Sequence, residues 1–172
     1  MGMIRFGGHV LSVDRHRLRV MAAPHQWWAH IIHEFRRTVP LIRIDVIEGR
    51  SDAELAAIGE AVHSALVECF GIPERDRFQV IAEHRRGRLI YDPAYLDIER
   101  GDGFVLVQVF CAVGRTPDTK QAFYERAAKG IVASGKTRLE DVMITLVENN
   151  REDWSFGKGV AQYLTTPRDQ WH

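Results

Sequence analysis

From residue 40 to residue 148 the spacing of apolar positions switches back and forth between strand-like and helix-like. Leu41, Ile42, Ile44 and Val46 form a short apolar run that predicts a strand over Leu41–Val46. Ser51 then stands as an N-cap, with Glu54 three residues on to complete a capping box. Leu55, Ile58, Val62, Leu66 and Cys69 recur at three and four residues, the face of an amphipathic helix that Gly71 and Pro73 end. Arg77–Ala82 is the next strand. The same order returns as a strand over Phe104–Cys111, a helix opened by Thr116 and Pro117, and a strand over Val142–Val147. Phe123, Ala127, Gly130 and Ile131 give that second helix its apolar face.

The two halves superimpose without a gap when the chain is slid 65 residues along itself. Gly49-Arg50-Ser51 falls on Gly114-Arg115-Thr116, Glu60 on Glu125, Asp76 on Asp141 and Glu83 on Glu148. A strand–helix–strand crossover makes the two strands of each unit parallel. The expected fold class is α/β (α+β): tandem β-α-β units, about 40–84 and 104–148, forming a four-stranded sheet with two helices on one face. Val105, Val107, Val109 and Ile144 read as an apolar second face. With no third helix to cover it, self-association is expected to do so. Arg85–Gly103 reads as a loop or hairpin, and the tail after Glu148 is polar and then aromatic.

Composition adds exclusions. The chain has 172 residues and zero formal net charge, so nothing points to nucleic acid or an anionic membrane. No apolar run approaches the length of a bilayer span. Cys69 and Cys111 make neither a metal pattern nor a disulfide framework, and they read as thiols in a reducing cytoplasm. Residues 1–39 differ from the rest: five of the eight histidines lie there, with no lysine and only Asp14 and Glu34 as acids. This segment fits no signal peptide, myristoylation site or transit peptide. His25–His30 reads as a short amphipathic helix. No acid or cysteine joins its histidines at a ligand spacing, so no metal site is expected. Residues 1–39 are therefore taken as an extension outside the mature fold, and 40–172 as the folded domain.

That division falls immediately before Pro40. Inside a chain the proline nitrogen is an amide without basicity; at a free N-terminus it is a secondary amine able to act as acid, base or nucleophile. A GTG valine codon at 39, used as a start and read as methionine, would leave Pro40 first once the methionine is removed. On that expectation residues 1–39 pack poorly and lie across the pocket mouth.

The segment Pro40-Leu-Ile-Arg-Ile-Asp-Val-Ile-Glu-Gly-Arg-Ser-Asp52 resembles the mature start of the tautomerase superfamily. Phe70-Gly-Ile-Pro-Glu-Arg-Asp-Arg-Phe-Gln79, Gly114-Arg115 and Leu146-Val-Glu-Asn-Asn-Arg-Glu-Asp-Trp-Ser-Phe-Gly157 narrow the likeness to its malonate semialdehyde decarboxylase branch. The resemblance implies Pro40 as the catalytic amine, Asp76 as its neighbouring carboxylate and Arg115 as the holder of a substrate carboxylate. It implies Trp154 and Phe156 as pocket walls. It further implies a homotrimer, no metal and no organic cofactor. The decarboxylase pattern has a second arginine two places before the one at 115; here that residue is Val113.

The residues themselves leave alternatives open. Arg115 has a counterpart in Arg50 and Asp76 one in Asp141, so either can be architectural. Trp154 and Phe156 can be packing, and His63 reads as a buried, hydrogen-bonded histidine or as a catalytic one. An α-amino group titrates near 8, roughly. Apolar surroundings and Arg115 would lower the pKa of a Pro40 amine, and Asp76 would raise it. Two functions follow. One is an enzyme that moves a proton on a small carboxylate-bearing oxo acid, by keto–enol tautomerisation or malonate-semialdehyde-type decarboxylation. The other is a non-enzymatic binding or assembly protein whose Pro40 is blocked by residues 1–39.

Overall fold

The computed structural model describes residues 40–167 and, before them, two short backbone strands. The chain divides into two compact units, Met1–Ile31 and Ile32–His172. In the first, β1 (Gly2–Phe6) pairs antiparallel with β2 (His9–Val13), Ile4 opposite Leu11. The periodicity had assigned no strand there. The helix expected at His25–His30 and the expected packing of residues 1–39 lie outside the described residues.

In the second unit the order is β3 (Leu41–Ile47), α1 (Asp52–Phe70), β4 (Phe78–His84), β5 (Val105–Ala112), α2 (Pro117–Ala133) and β6 (Val142–Asn149). A single turn of helix, α3 (Gln162–Thr165), closes the tail. The sheet order is β4-β3-β5-β6, with parallel outer pairs and an antiparallel centre. Arg43 pairs with Gln108, its own counterpart under the repeat. The two β-α-β repeats within this unit are therefore related by a pseudo-twofold axis through that pair. The caps form as the sequence dictates. Ser51 Oγ accepts from Glu54 N–H, while the Glu54 carboxylate accepts from Ser51 N–H at 2.8 Å. Gly71 ends α1 at φ 67, a left-handed turn that costs glycine little.

Both helices pack on one face of the sheet. Ile42, Ile44 and Val46 from β3 meet Ile58, Val62 and Leu66 from α1, and Phe123, Ala127 and Ile131 from α2 close the core. Here one expectation is corrected. Val105, Val107 and Val109 are fully buried in this same core, and Ile144 packs against it. They cannot form a second apolar face, because alternate residues of a strand point to opposite sides.

The face turned away from the helices carries their neighbours instead, and it is mixed. Among the described residues its ionisable groups are Arg43, Asp45 and His84. Arg43 donates twice to the Asp45 carboxylate at 2.8 Å, and His84 Nε2 lies 2.6 Å from Asp45 Oδ1. Burial works to raise the Asp45 pKa, but the bonds and charges of Arg43 and His84 outweigh it and hold the carboxyl below its usual range. Phe78 and Val80 on β4, and Met143 and Val147 on β6, leave apolar side chains exposed on the two edges of this face. No helix of the described residues is long and apolar enough to cross a membrane.

Candidate active site

Pro40 is buried immediately before β3. Leu41 pairs with Phe78 on one side and Phe110 on the other, so continuing the register sets Pro40 beside Arg77 and Cys111. This is the sheet end at which β3 and β4 begin and β5 and β6 finish.

Arg115 follows β5 by three residues. Its guanidinium lies 4.2 Å from the centre of the Phe70 ring, and Nη1 donates to the Ala112 carbonyl at 2.6 Å. Its charge reaches Cys111: burial pushes that thiol up, and Arg115 pulls against it. Arg115 and Pro40 thus flank the same residue, Cys111, at the end of β5.

The tail brings aromatic rings across this sheet end. After β6 a short turn over Arg151–Asp153 leads to Trp154, whose Nε1 donates to Asn149 Oδ1 at 2.8 Å. Trp154 stacks on Phe156 with centroids 5.6 Å apart and planes 8° apart. Phe156 reaches Phe78 at 6.2 Å and meets Tyr163 edge-on at 4.8 Å. The row runs from the end of β6 to the start of β4. Tyr163 and Phe78 were not foreseen as members. Tyr163 lies in the tail beyond the last strand, where no strand period flags it. Phe78 was read only as a strand residue.

Asp76 belongs to the same end, two residues before Phe78. It is buried, and among the described residues no hydrogen bond reaches its carboxylate. Burial pushes its pKa up, and the charge of His63 works to lower it. His63 is itself buried, with Nε2 2.9 Å from the Glu74 carbonyl, which fits the reading of a hydrogen-bonded core histidine.

The repeat counterparts make a sharp contrast. Arg50 donates Nη2 to the Gly103 carbonyl at 3.0 Å and to Thr137 Oγ1 at 2.9 Å, and Nη1 to the Gly135 carbonyl at 3.3 Å. It braces the turn before β5 to the end of α2. Asp141 accepts from Gly101 N–H at 2.6 Å and from the Arg138 guanidinium at 2.9 and 3.0 Å. The Arg138 bond, the largest favourable influence, and the backbone donors outweigh burial and hold Asp141 at about 2. The architectural reading suits Arg50 and Asp141. Their partners at 115 and 76 have different surroundings.

Asp141 yields a stability prediction. Its folded pKa of about 2 lies below the ordinary 3.8, so its contribution is present above about pH 4 and lost as pH falls toward 2. Asp141→Asn is expected to lower stability by about 2 kcal/mol at neutral pH. It should also flatten the acid limb between pH 4 and 2. Urea midpoints across that range, at unchanged slope, check it.

Among the described residues no group of three or more His, Cys, Asp or Glu side chains is arranged to hold a metal ion. Two family models, both described as tautomerase enzyme, match residues 40–96 and 76–157. The probable tautomerase YusQ of Bacillus subtilis (strain 168) is 36% identical over 126 residues, covering 73% of this chain and 99% of that protein. A crystal structure of FG41 malonate semialdehyde decarboxylase inhibited by 3-bromopropiolate is 42% identical with TM-score 0.68, covering 73% of this chain and 95% of that one. A malonate semialdehyde decarboxylase, described with decarboxylase and hydratase activities, is 34% identical with TM-score 0.66, covering 73% and 96%.

Proposed function

Because this chain belongs to the tautomerase superfamily, we propose that it is an enzyme that moves a proton on a small oxo acid, with a free amine at Pro40 as the acid–base group. The observation that supports this reading best is the convergence on one sheet end. Pro40 stands in register beside Cys111, Arg115 acts on that cysteine, and an aromatic row crosses the same end. In this reading Arg115 holds the substrate carboxylate through its planar fork. Trp154 and Phe156 exclude water from the reacting carbons. Asp76 tunes the amine: as an anion it holds Pro40 protonated, and as a neutral acid it releases it to act as a base.

The substrate we propose is a three-carbon oxo acid of the malonate semialdehyde type, by analogy with the named activity of the similar structures. Keto–enol tautomerisation is the related alternative. The test is to express the chain from Pro40 and assay malonate semialdehyde decarboxylation beside phenylpyruvate enol–keto conversion. Absence of both activities in a folded protein would overturn the reading.

The open sheet face supports a homotrimer within this proposal. Its ionisable groups neutralise one another, and its edges expose Phe78, Val80, Met143 and Val147. Sedimentation at micromolar concentration reads the state directly. A second reading has its own observation: in the 172-residue chain Pro40 is an internal amide, preceded by a unit with two paired β-strands. In that case the protein binds rather than catalyses. The mass of the natively produced chain separates the two.

A further inference from the structure

We propose that His63 is a positioning residue that sets the ionisation of Asp76 and, resting on the enzyme reading above, the protonation of an amine at Pro40. The argument begins with the repeat. Asp141 is held by Arg138, a permanent cation on the turn before its strand. The residue matching Arg138 in the first unit is Pro73, which has no charge to offer. Instead His63 on the helix bonds to the Glu74 carbonyl in the loop that carries Asp76, and the residue matching His63 in the second unit is Ala128. The two equivalent carboxylates thus have different surroundings. One keeps a fixed cation; the loop of the other is bonded by a side chain that can carry a charge or lose it.

The local geometry suits that task. A carbonyl oxygen only accepts, so His63 Nε2 carries a proton toward the Glu74 carbonyl at 2.9 Å in either charge state. The ring is anchored to the loop that holds Asp76, two residues further on. Nδ1 is buried without a hydrogen-bond partner among the described residues. Charging the ring therefore adds its proton at Nδ1 without breaking the anchor.

A cleft of about 410 Å³, bordered by His63, Glu74 and Arg77, gives the site a wall open to solvent. Three other charged groups around the cleft, Glu60, Arg77 and Glu68, are paired. Glu60 pairs with Arg77 at 2.6 Å, and Glu68 pairs with Arg126 of α2 at 2.6 Å. Glu74 contributes its backbone carbonyl to His63. Among the described residues, the charge of His63 works against burial at Asp76. Protonating His63 stabilises the Asp76 anion, which in turn favours a protonated amine at Pro40. Neutral His63 leaves burial unopposed, and Asp76 takes up a proton more readily.

The experiment is a carboxyl-carbon NMR titration of Asp76 in the full 172-residue chain, so it does not depend on activity. In His63→Gln the Asp76 midpoint is expected to rise by about one pH unit, while Asp141 stays in place. In the unmodified protein the Asp76 resonance should carry a second inflection at the pH where the His63 ring titrates. That measurement stands even if the variant fails to fold. An Asp76 midpoint unmoved by His63→Gln, or a single inflection in the unmodified protein, overturns the proposal. If the coupling is present but a chain starting at Pro40 is inactive, the enzyme reading fails and this inference survives.

Discussion

A chain that starts at Pro40 is expected to turn over its oxo acid at least about 10³-fold faster than the same chain carrying Val39 before it, the upper part of the range for a positioned acid–base group. The reason is electronic before it is steric. Behind Val39 the Pro40 nitrogen is part of a planar amide and has no proton to give and no basic lone pair to accept one. Freed, it becomes an amine near neutrality, where an acid–base group is most effective. Burial lowers its affinity for a proton, and an Asp76 anion raises it. The rate should therefore follow the ionisation of Asp76 as well as that of the amine. From Leu41 onward β3 is held by register pairs on both sides. Rates on two preparations whose N-termini are verified by mass check this. Equal rates would remove the amine from the mechanism.

Much of the fold was legible because the repeat is written twice. Capping box, left-handed glycine, and the proline at the start of α2 are local signals, and each formed where the spacing set it. Strand ends were read one or two residues short, since pairing extends past the last apolar position to residues such as His84 and Asn149. The mistaken face had a specific cause. Val105, Val107 and Val109 share one parity, so they identify a single buried face and say nothing of its opposite. The opposite face is signalled by Arg43, Asp45 and His84, polar residues in strands; Arg43 and Asp45 are two apart on β3, and the contact of His84 with Asp45 is a long-range fact invisible to periodicity.

The residues of the candidate site were named from the sequence, but the asymmetry between the two repeats was not. Sequence alignment of the halves makes Arg115 equivalent to Arg50 and Asp76 equivalent to Asp141. Only three-dimensional partners separate them. Arg50 and Asp141 spend their hydrogen bonds tying turns together. Equivalent positions in the two repeats thus have different surroundings, and those of Arg50 and Asp141 hold turns of the fold. The pairing of His63 with the Glu74 carbonyl depends on how the turn after α1 folds back, which no spacing rule expresses.

Arg115→Ala is expected to raise KM for a carboxylate substrate at least tenfold and to lower kcat/KM by about 10²-fold or more, because a charge-assisted fork is lost both in binding and as negative charge develops on an enolate. The structure also supplies the confounding effect. Arg115 lies on the Phe70 ring and donates to the Ala112 carbonyl, so its removal disturbs packing at the end of α1. A stacked, partly desolvated cation is worth about 1–2 kcal/mol, enough to move a urea midpoint but not to explain a hundredfold kinetic loss in protein that remains folded. Two comparisons separate the effects. Arg115→Lys keeps the charge and loses the planar fork, so it should recover part of the affinity. Arg50→Ala should destabilise through the lost Gly103 and Thr137 bonds while leaving KM unchanged in the folded fraction. An unchanged KM in Arg115→Ala would assign this arginine, like its repeat partner, to the architecture alone.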